Sequence, residues 1–295
     1  MNAVQPVDPA TLVIRAAYDA VDYECTAYPL THPDRLRTIA RLFGVDAPPL
    51  DGARVLEVGC GDGTNLLPLA DAYPQATFVG CDLAPRAVAR GQALIAEAAL
   101  SNATLLNIDL RELPAALGPF DYVVAHGFYS WVPPDVRDAL LHLIATRTTA
   151  NGVAFVSYNT LPGNRMRQIA SDAAHWHARA CASATETLRA SRELLLMMGQ
   201  PGVTQWPADA SLRAEFNVRA AQSDSALYHD DLAQPNDAVY FHEFIAHARR
   251  HGLDYVGDSD VRLMTGGGLA PDVRKFVMRY DRIGREQYLD FMRLR

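Results

Sequence analysis

The chain has 295 residues, of which 49% are hydrophobic and 21% charged, and its formal net charge is -7. That composition excludes a disordered chain and suffices for one large domain or a domain with a sizeable insertion. The acidic balance argues against holding nucleic acid through its phosphates or binding an anionic membrane.

From the N-terminus, residues 1–50 read as a helical cap. The opening "MNAVQPVDPATLVIR" lacks the basic leader and apolar run of a signal peptide. Tyr18, Tyr23 and Tyr28 precede His32-Pro33-Asp34-Arg35, where Thr31 or Asp34 can cap a helix over Arg35–Phe43. Short apolar runs then alternate with helical stretches. Strands are expected at Arg54–Val58, Thr77–Cys81, Thr104–Ile108, Phe120–Ala125 and, after an Asn151-Gly152 turn, Val153–Tyr158. Helices are expected at Asn65–Tyr73, at Pro85–Leu100 with proline in its first turn, and at Pro134–Thr148. This order predicts an α/β fold, a doubly wound and mostly parallel sheet of Rossmann-like type.

After Tyr158 the pattern turns helical. Arg165–Cys181, Ala184–Gly199 and Leu212–Leu227 carry helical periodicity, and Pro201-Gly202 separates two of them. Tyr240–His251 reads as a helix stopped by Gly252, followed by "LDYVGDSDV" as a return to the sheet. The expected organisation is therefore one domain from 1–160 and 236–295, interrupted late in the chain by a helical insertion at 161–235. No run approaches the ~20 apolar residues that span a bilayer. Cys25, Cys60, Cys81 and Cys181 are far apart with no Cys-x-x-Cys pair, so the expectation is a reduced, cytoplasmic protein without disulfides.

The most informative stretch is "VLEVGCGDGTN", Val55 to Asn65. A dinucleotide turn needs G-x-G-x-x-G, with the third glycine at a position held here by Thr64. Glu57 before the turn would repel a diphosphate and attract a cation. Asp82 closes the next strand, where a carboxylate can accept from two ribose hydroxyls. Asp109, after the third strand, stands where an acid can accept from an adenine amino group. The E-x-G-x-G-x-G pattern with these acids resembles the class I methyltransferases that use S-adenosyl-L-methionine (SAM). The resemblance implies cofactor contacts from Glu57, Gly59, Cys60, Gly61, Gly63, Asn65, Asp82, Leu83, Asp109, Leu110 and His126.

"THPDRLRTIARLFGV", "FDYVVAHGFYSWVPPDVRDALL", "GVAFVSYNTLPG" and "REQYLDFMRLR" are similar to a narrower group. These are bacterial methyltransferases carrying a methyltransferase regulatory domain, which include protein lysine methyltransferases. That resemblance implies a regulatory or substrate-lid role for 161–235 and an N-terminal segment lying over the cofactor. Two departures stand out: Asn164 replaces the aromatic residue that usually follows "YNTLPG", and the sequence stops at Arg295, where the family usually runs on from "EQYLDF" into a further strand.

Methyl transfer needs orientation and a dry site, plus a base when the nucleophile arrives protonated. The loop after the fourth strand, "AHGFYSWVPP", is the natural substrate rim of such a sheet. His126 and Tyr129 are its catalytic candidates. Tyr18, Tyr28, His32, Trp131, Tyr158 and Asn159 are the substrate-side candidates, with packing or turn formation as the alternative for each. The expected acceptor is a protein or peptide, methylated at nitrogen, or else a small molecule methylated at nitrogen or oxygen; a SAM-binding regulatory subunit without chemistry is the third possibility. No nucleic-acid or membrane partner is expected, and oligomeric state is unreadable.

No metal is expected. "HEFIAH" separates His242 and His247 by five positions, about 140° apart around a helix. His247 and His251 lie at i,i+4 but lack a third ligand, while His175 and His177 face apart around Trp176. "TGGGLAP" (Thr265–Pro271) does not combine a preceding strand with a following helix as a phosphate loop must, and reads as a flexible loop.

Overall fold

A computed structural model describes residues 16–18, 20–202 and 209–293; expectations for residues 1–15 and for the last two residues of "REQYLDFMRLR" lie outside them. The chain divides into two compact units. One unit joins Cys25–Pro162 to the C-terminal stretch from Asp237, and the other joins Gly163–Asn236 to the N-terminal stretch up to Glu24. The N-terminal stretch is thus shared between the units at Glu24, whereas sequence reading attached all of 1–50 to the sheet.

The sheet unit opens with a 3-10 turn, Pro29–Thr31, and helix α1, Pro33–Leu42. Strand β1 (Arg54–Val58), helix α2 (Leu67–Ala72), β2 (Thr77–Asp82), α3 (Pro85–Glu97) and β3 (Ala103–Asn107) follow. Then come β4 (Phe120–Ala125), α4 (Pro134–Arg147) and β5 (Thr148–Val156). The five strands are parallel in the order β3-β2-β1-β4-β5. Neighbouring strand residues go to opposite faces, which explains why both faces are apolar. Val55, Phe78, Tyr122 and Val124 join one core; Leu56, Val79, Val123 and Ala125 join the other with Leu140, Leu141 and Ile144 of α4. The order reverses between β1 and β4, so a crevice opens at their carboxyl ends.

Asn151-Gly152, expected as a turn before the last strand, lies inside β5 instead. The turn tendency survives as an irregularity: Thr148 pairs with Phe120 and Val153 with Tyr122, five positions against two. Glycine is required there, because a Cβ on Gly152 would sit 2.3 Å from Thr148 Cγ2 and 2.9 Å from the Asp121 carbonyl oxygen. A two-stranded ribbon begins with β6, Thr160–Leu161.

The helical unit is built from α5 (Arg165–Ala178), α6 (Ala184–Met198) and α7 (Asp209–Ala220). Ala170, Leu188, Leu195, Phe216, Ala220 and Leu227 form its core. The helix expected over Leu212–Leu227 is two pieces. It stops at Ala220, and Ser223 starts Asp224–Ala226 by accepting from Ala226 N at 3.2 Å, which leads into a π-helical turn, Leu227–Asp231. A serine that offers a capping oxygen favours a new start over continuation. Arg167 anchors this end, its Nε 2.6 Å from the buried Asp231 carboxylate.

Back in the sheet unit, β7 (Val239–Tyr240) pairs with β6, then α8 spans Phe241–Arg250 and ends before Gly252 at φ +77°. Helices α9 (Val261–Met264), α10 (Pro271–Val277) and α11 (Arg282–Arg293) complete the described chain. The expected return of "LDYVGDSDV" to the sheet is not made; the segment is irregular, and β5 remains the edge. Its carbonyls are taken by side chains instead: Arg282 Nη1 donates to Val256 O at 2.8 Å and Arg35 Nε to Ser259 O at 2.7 Å.

Candidate functional site

β1 delivers the chain into a turn whose three glycines all occupy the left-handed region: Gly59 at φ +73°, Gly61 at +55° and Gly63 at +80°. Side chains there would be both strained and obstructed. A Cβ on Gly61 would lie 2.6 Å from Cys25 Sγ, and one on Gly59 would lie 2.9 Å from the Phe128 ring. The turn is pinned to β2 by Gly59 and Cys60, whose N–H groups donate to Cys81 O at 2.9 and 3.3 Å. Asp82 finishes the clamp: Oδ2 accepts from Gly61 N and Oδ1 from Ala84 N, each at 2.8 Å. Burial holds its carboxyl above the usual range, against the backbone donors of Ala84, Gly61 and Leu83.

Glu57 is 4% exposed and carries the site's clearest electrostatic anomaly. Burial pushes its pKa up to about 8, opposed by the Asn65 hydrogen bond and assisted by nearby Asp82. Oε1 accepts from Asn65 Nδ2 at 2.7 Å, whereas Oε2 is buried with no hydrogen-bond partner among the described residues. A buried, half-satisfied carboxylate is costly unless a cationic donor arrives. The primary ammonium of an amino acid is such a donor.

Asn65 also fastens the N-terminal segment. Its Oδ1 accepts from Tyr28 N at 2.8 Å, and its Nδ2 approaches Thr31 Oγ1 at 3.1 Å. The Tyr28 ring lies against His126, centroids 3.9 Å apart. His126 follows β4, with Nδ1 3.0 Å from Ser157 Oγ, which accepts from Gly127 N at 2.8 Å. Burial lowers the imidazole pKa, so the ring is neutral near pH 7. Glu57, Asn65, Tyr28, His126 and the clamp of Gly61 to Asp82 therefore stand at one end of the sheet.

The other sequence candidates divide. Asp109 caps the 3-10 turn Leu110–Glu112 and pairs with Arg111 at 2.7 Å; Arg111 also reaches Asp135 at 2.8 Å. Leu110 is buried and Leu83 half-buried beside these acids. Cys60 contributes backbone, because its thiol is buried against Gly80. Tyr129 is 3% exposed, its hydroxyl 2.8 Å from His247 Nδ1 and its ring edge-on to Phe244. Tyr158 stacks on Phe244 at 4.3 Å. These two rings pack against Phe244 of α8. Trp131 ends a 3-10 turn with its Nε1 buried, and Asn159 engages by backbone N–H to Ser130 Oγ at 2.8 Å.

His32 caps α1 itself: its Nδ1 accepts from Asp34 N at 3.2 Å, where Thr31 or Asp34 was expected. Tyr18 lies in the helical unit, stacked on His229 at 4.8 Å. Sequence reading missed Ser157 and Phe128, since a lone serine or phenylalanine carries no spacing signal. It also missed Cys25, which shields Gly61.

The comparisons with known proteins agree with this geometry. A "Methyltransferase domain" model matches residues 55–152, and a "Predicted methyltransferase regulatory domain" model matches residues 223–295. That second match overlaps the expected insertion at 161–235 over residues 223–235. RP789 of Rickettsia prowazekii (strain Madrid E) is 34% identical over 99% of this chain and 54% of its own length. RP028 of the same organism is 35% identical over 80% of this chain and 95% of its own length. Among solved structures, PKMT2 from Rickettsia typhi superposes with a TM-score of 0.85 and 35% identity, over 92% of this chain and 53% of that chain; it has also been solved in complex with AdoHcy. The chain thus spans about half the length of two of these relatives.

Proposed function

The chain belongs to the bacterial class I SAM-dependent methyltransferases that carry a methyltransferase regulatory domain, and on that premise we propose that it methylates a protein or peptide substrate at nitrogen. One observation carries the cofactor side of the reading: the unpartnered, buried Oε2 of Glu57 beside a triple-glycine turn clamped by Asp82.

The residues present fit SAM. Glu57 would hold its ammonium, Asp82 would accept from its ribose hydroxyls, and Asp109 with Leu83 and Leu110 would flank its adenine. When bound, SAM supplies a methyl group on a sulfonium, with a neutral thioether as leaving group. The protein's own task is then orientation, exclusion of water and removal of one proton from an incoming ammonium.

His126 is the base in this reading, since its burial keeps the imidazole neutral and receptive. The role requires the tautomer in which Nδ1–H donates to Ser157 Oγ, leaving the Nε2 lone pair for the proton. The similarity to PKMT2 supports a protein acceptor. A cavity of about 790 Å³ along β5, reaching His126, Ser157, Tyr158 and Phe244, supports the second reading, a small-molecule acceptor.

Radiolabelled SAM incubated with this chain and cell lysate, then split into macromolecular and small fractions, tests the proposal. Label in the protein fraction, removed by protease, is the expected result. Label confined to the small fraction favours the second reading, and no transfer despite SAM binding contradicts both.

A further inference from the structure

Sequence spacing put His247 and His251 on one face of α8 without a third ligand. The fold supplies it from another element. Asp138 of α4 brings Oδ1 to 3.2 Å from His247 Nε2 and to 2.9 Å from His251 Nε2. The three ligand atoms lie within 4.8 Å of one another. We propose that Asp138, His247 and His251 form a binding site for a divalent ion of the zinc class, with water completing a four-coordinate shell.

The chemistry and geometry agree. Two imidazole nitrogens and one carboxylate oxygen are a zinc-type donor set, and three protein ligands leave one open position. Bonds of about 2.0–2.1 Å to a tetrahedral ion put its ligand atoms roughly 3.3 Å apart, close to the two separations between Asp138 and the histidines. The histidines lie one helical turn apart, with His251 at the cap of α8, so the helix presents them together.

His247 carries the second observation. Its other ring nitrogen, Nδ1, lies 2.8 Å from the buried Tyr129 hydroxyl. A metal-bound imidazole needs such a partner to fix its tautomer and orientation. With Nε2 on the ion, the His247 proton sits on Nδ1 and donates to Tyr129 Oη. Without the ion, the Nε2–H groups donate to Asp138, and Tyr129 donates to Nδ1. Arg250 is a neighbouring cation that works against a divalent ion, so the Asp138 charge is essential.

Occupancy would clamp α8 to α4 and fix Tyr129, which opens the 3-10 turn Tyr129–Trp131 on the rim after β4. The site is thus a structural support for that rim, separate from the glycine turn.

The chain, freed of metal by chelator dialysis, is titrated with zinc chloride by calorimetry and with cobalt chloride by visible absorption. One equivalent of zinc, the visible bands of low-coordinate cobalt and a raised melting temperature are expected. Asp138→Asn retains an oxygen for the imidazoles but loses the charge, and should weaken zinc by 10-fold or more. His251→Gln should do the same, and Tyr129→Phe should weaken it roughly 10–100-fold through the lost outer contact. His142→Ala, whose ring centroid lies 6.2 Å from that of His251 outside the ligand set, should bind as the parent does. No stoichiometric zinc binding would overturn the proposal. Binding unchanged in folded Asp138→Asn and His251→Gln would overturn it equally.

Discussion

Asn65 is bonded to Glu57 and Tyr28 at once: its Nδ2 reaches Glu57 Oε1 at 2.7 Å while its Oδ1 accepts the Tyr28 N–H at 2.8 Å. One carboxamide therefore couples the buried acid of β1 to the N-terminal segment. Asn65→Ala removes these bonds and leaves Glu57 with neither oxygen satisfied. The expected cost is about 1–3 kcal/mol of stability, read from urea unfolding. Faster proteolysis around Tyr28 should accompany it.

Glu57 also predicts a pH dependence. Its pKa rises from the ordinary 4.5 to about 8 in the folded chain. The folded state therefore holds the proton longer than the unfolded state does. Its stabilising contribution is complete below about pH 4.5 and is lost as pH rises through about 8. Glu57→Gln should flatten the decline in stability over this window. SAM binding near pH 7 should release up to one proton as the ammonium ionises Glu57, visible as buffer-dependent binding enthalpy. Enthalpies independent of the buffer would contradict that pairing.

The glycines differ in what surrounds them. Gly91 of α3 faces the turn's backbone, and a Cβ there would lie 2.3 Å from the Asp62 carbonyl oxygen. Backbone cannot swing aside, so Gly91→Ala should destabilise by about 1–3 kcal/mol and weaken SAM binding. Gly44→Ala, with no atom within 4 Å of the added carbon, retains only the cost of its φ of +85°. SAM affinity should be unchanged in that control.

His126 should separate binding from turnover. His126→Ala is expected to lower kcat at least 10²-fold with SAM affinity intact, the scale of a lost general base. Because burial lowers its pKa, the imidazole stays neutral as pH falls through its usual 6.5, and activity should fail only below that. Ser157→Ala should reduce kcat while moving this acidic limb, since it releases Nδ1. Loss of SAM affinity in His126→Ala would instead assign the ring to shaping the loop.

β1 and β4 appear at their expected residues because each is short and apolar, whereas β5 runs through the turn expected at Asn151-Gly152. Glu57, the glycines and Asp82 were legible for a similar reason, since they are close in sequence and fixed by strand register. What stayed hidden depends on distant packing. Nothing in "AHGFYSW" says that Tyr129 turns towards His247, 118 residues on, while His126 turns to Ser157. Asp138 could not be matched to two histidines more than 100 positions away without knowing that α4 and α8 adjoin. The misplaced return strand follows the same logic: "LDYVGDSDV" has strand-like residues, but Arg35 and Arg282 capture its carbonyls.

The most direct measurement is SAM binding by calorimetry to the parent chain, Asp82→Ala and Glu57→Gln, with melting curves showing that each variant is folded. One SAM per chain is expected, with both substitutions weakening it by 10-fold or more. Undiminished affinity in folded Asp82→Ala would contradict the assignment of the glycine turn as the SAM site.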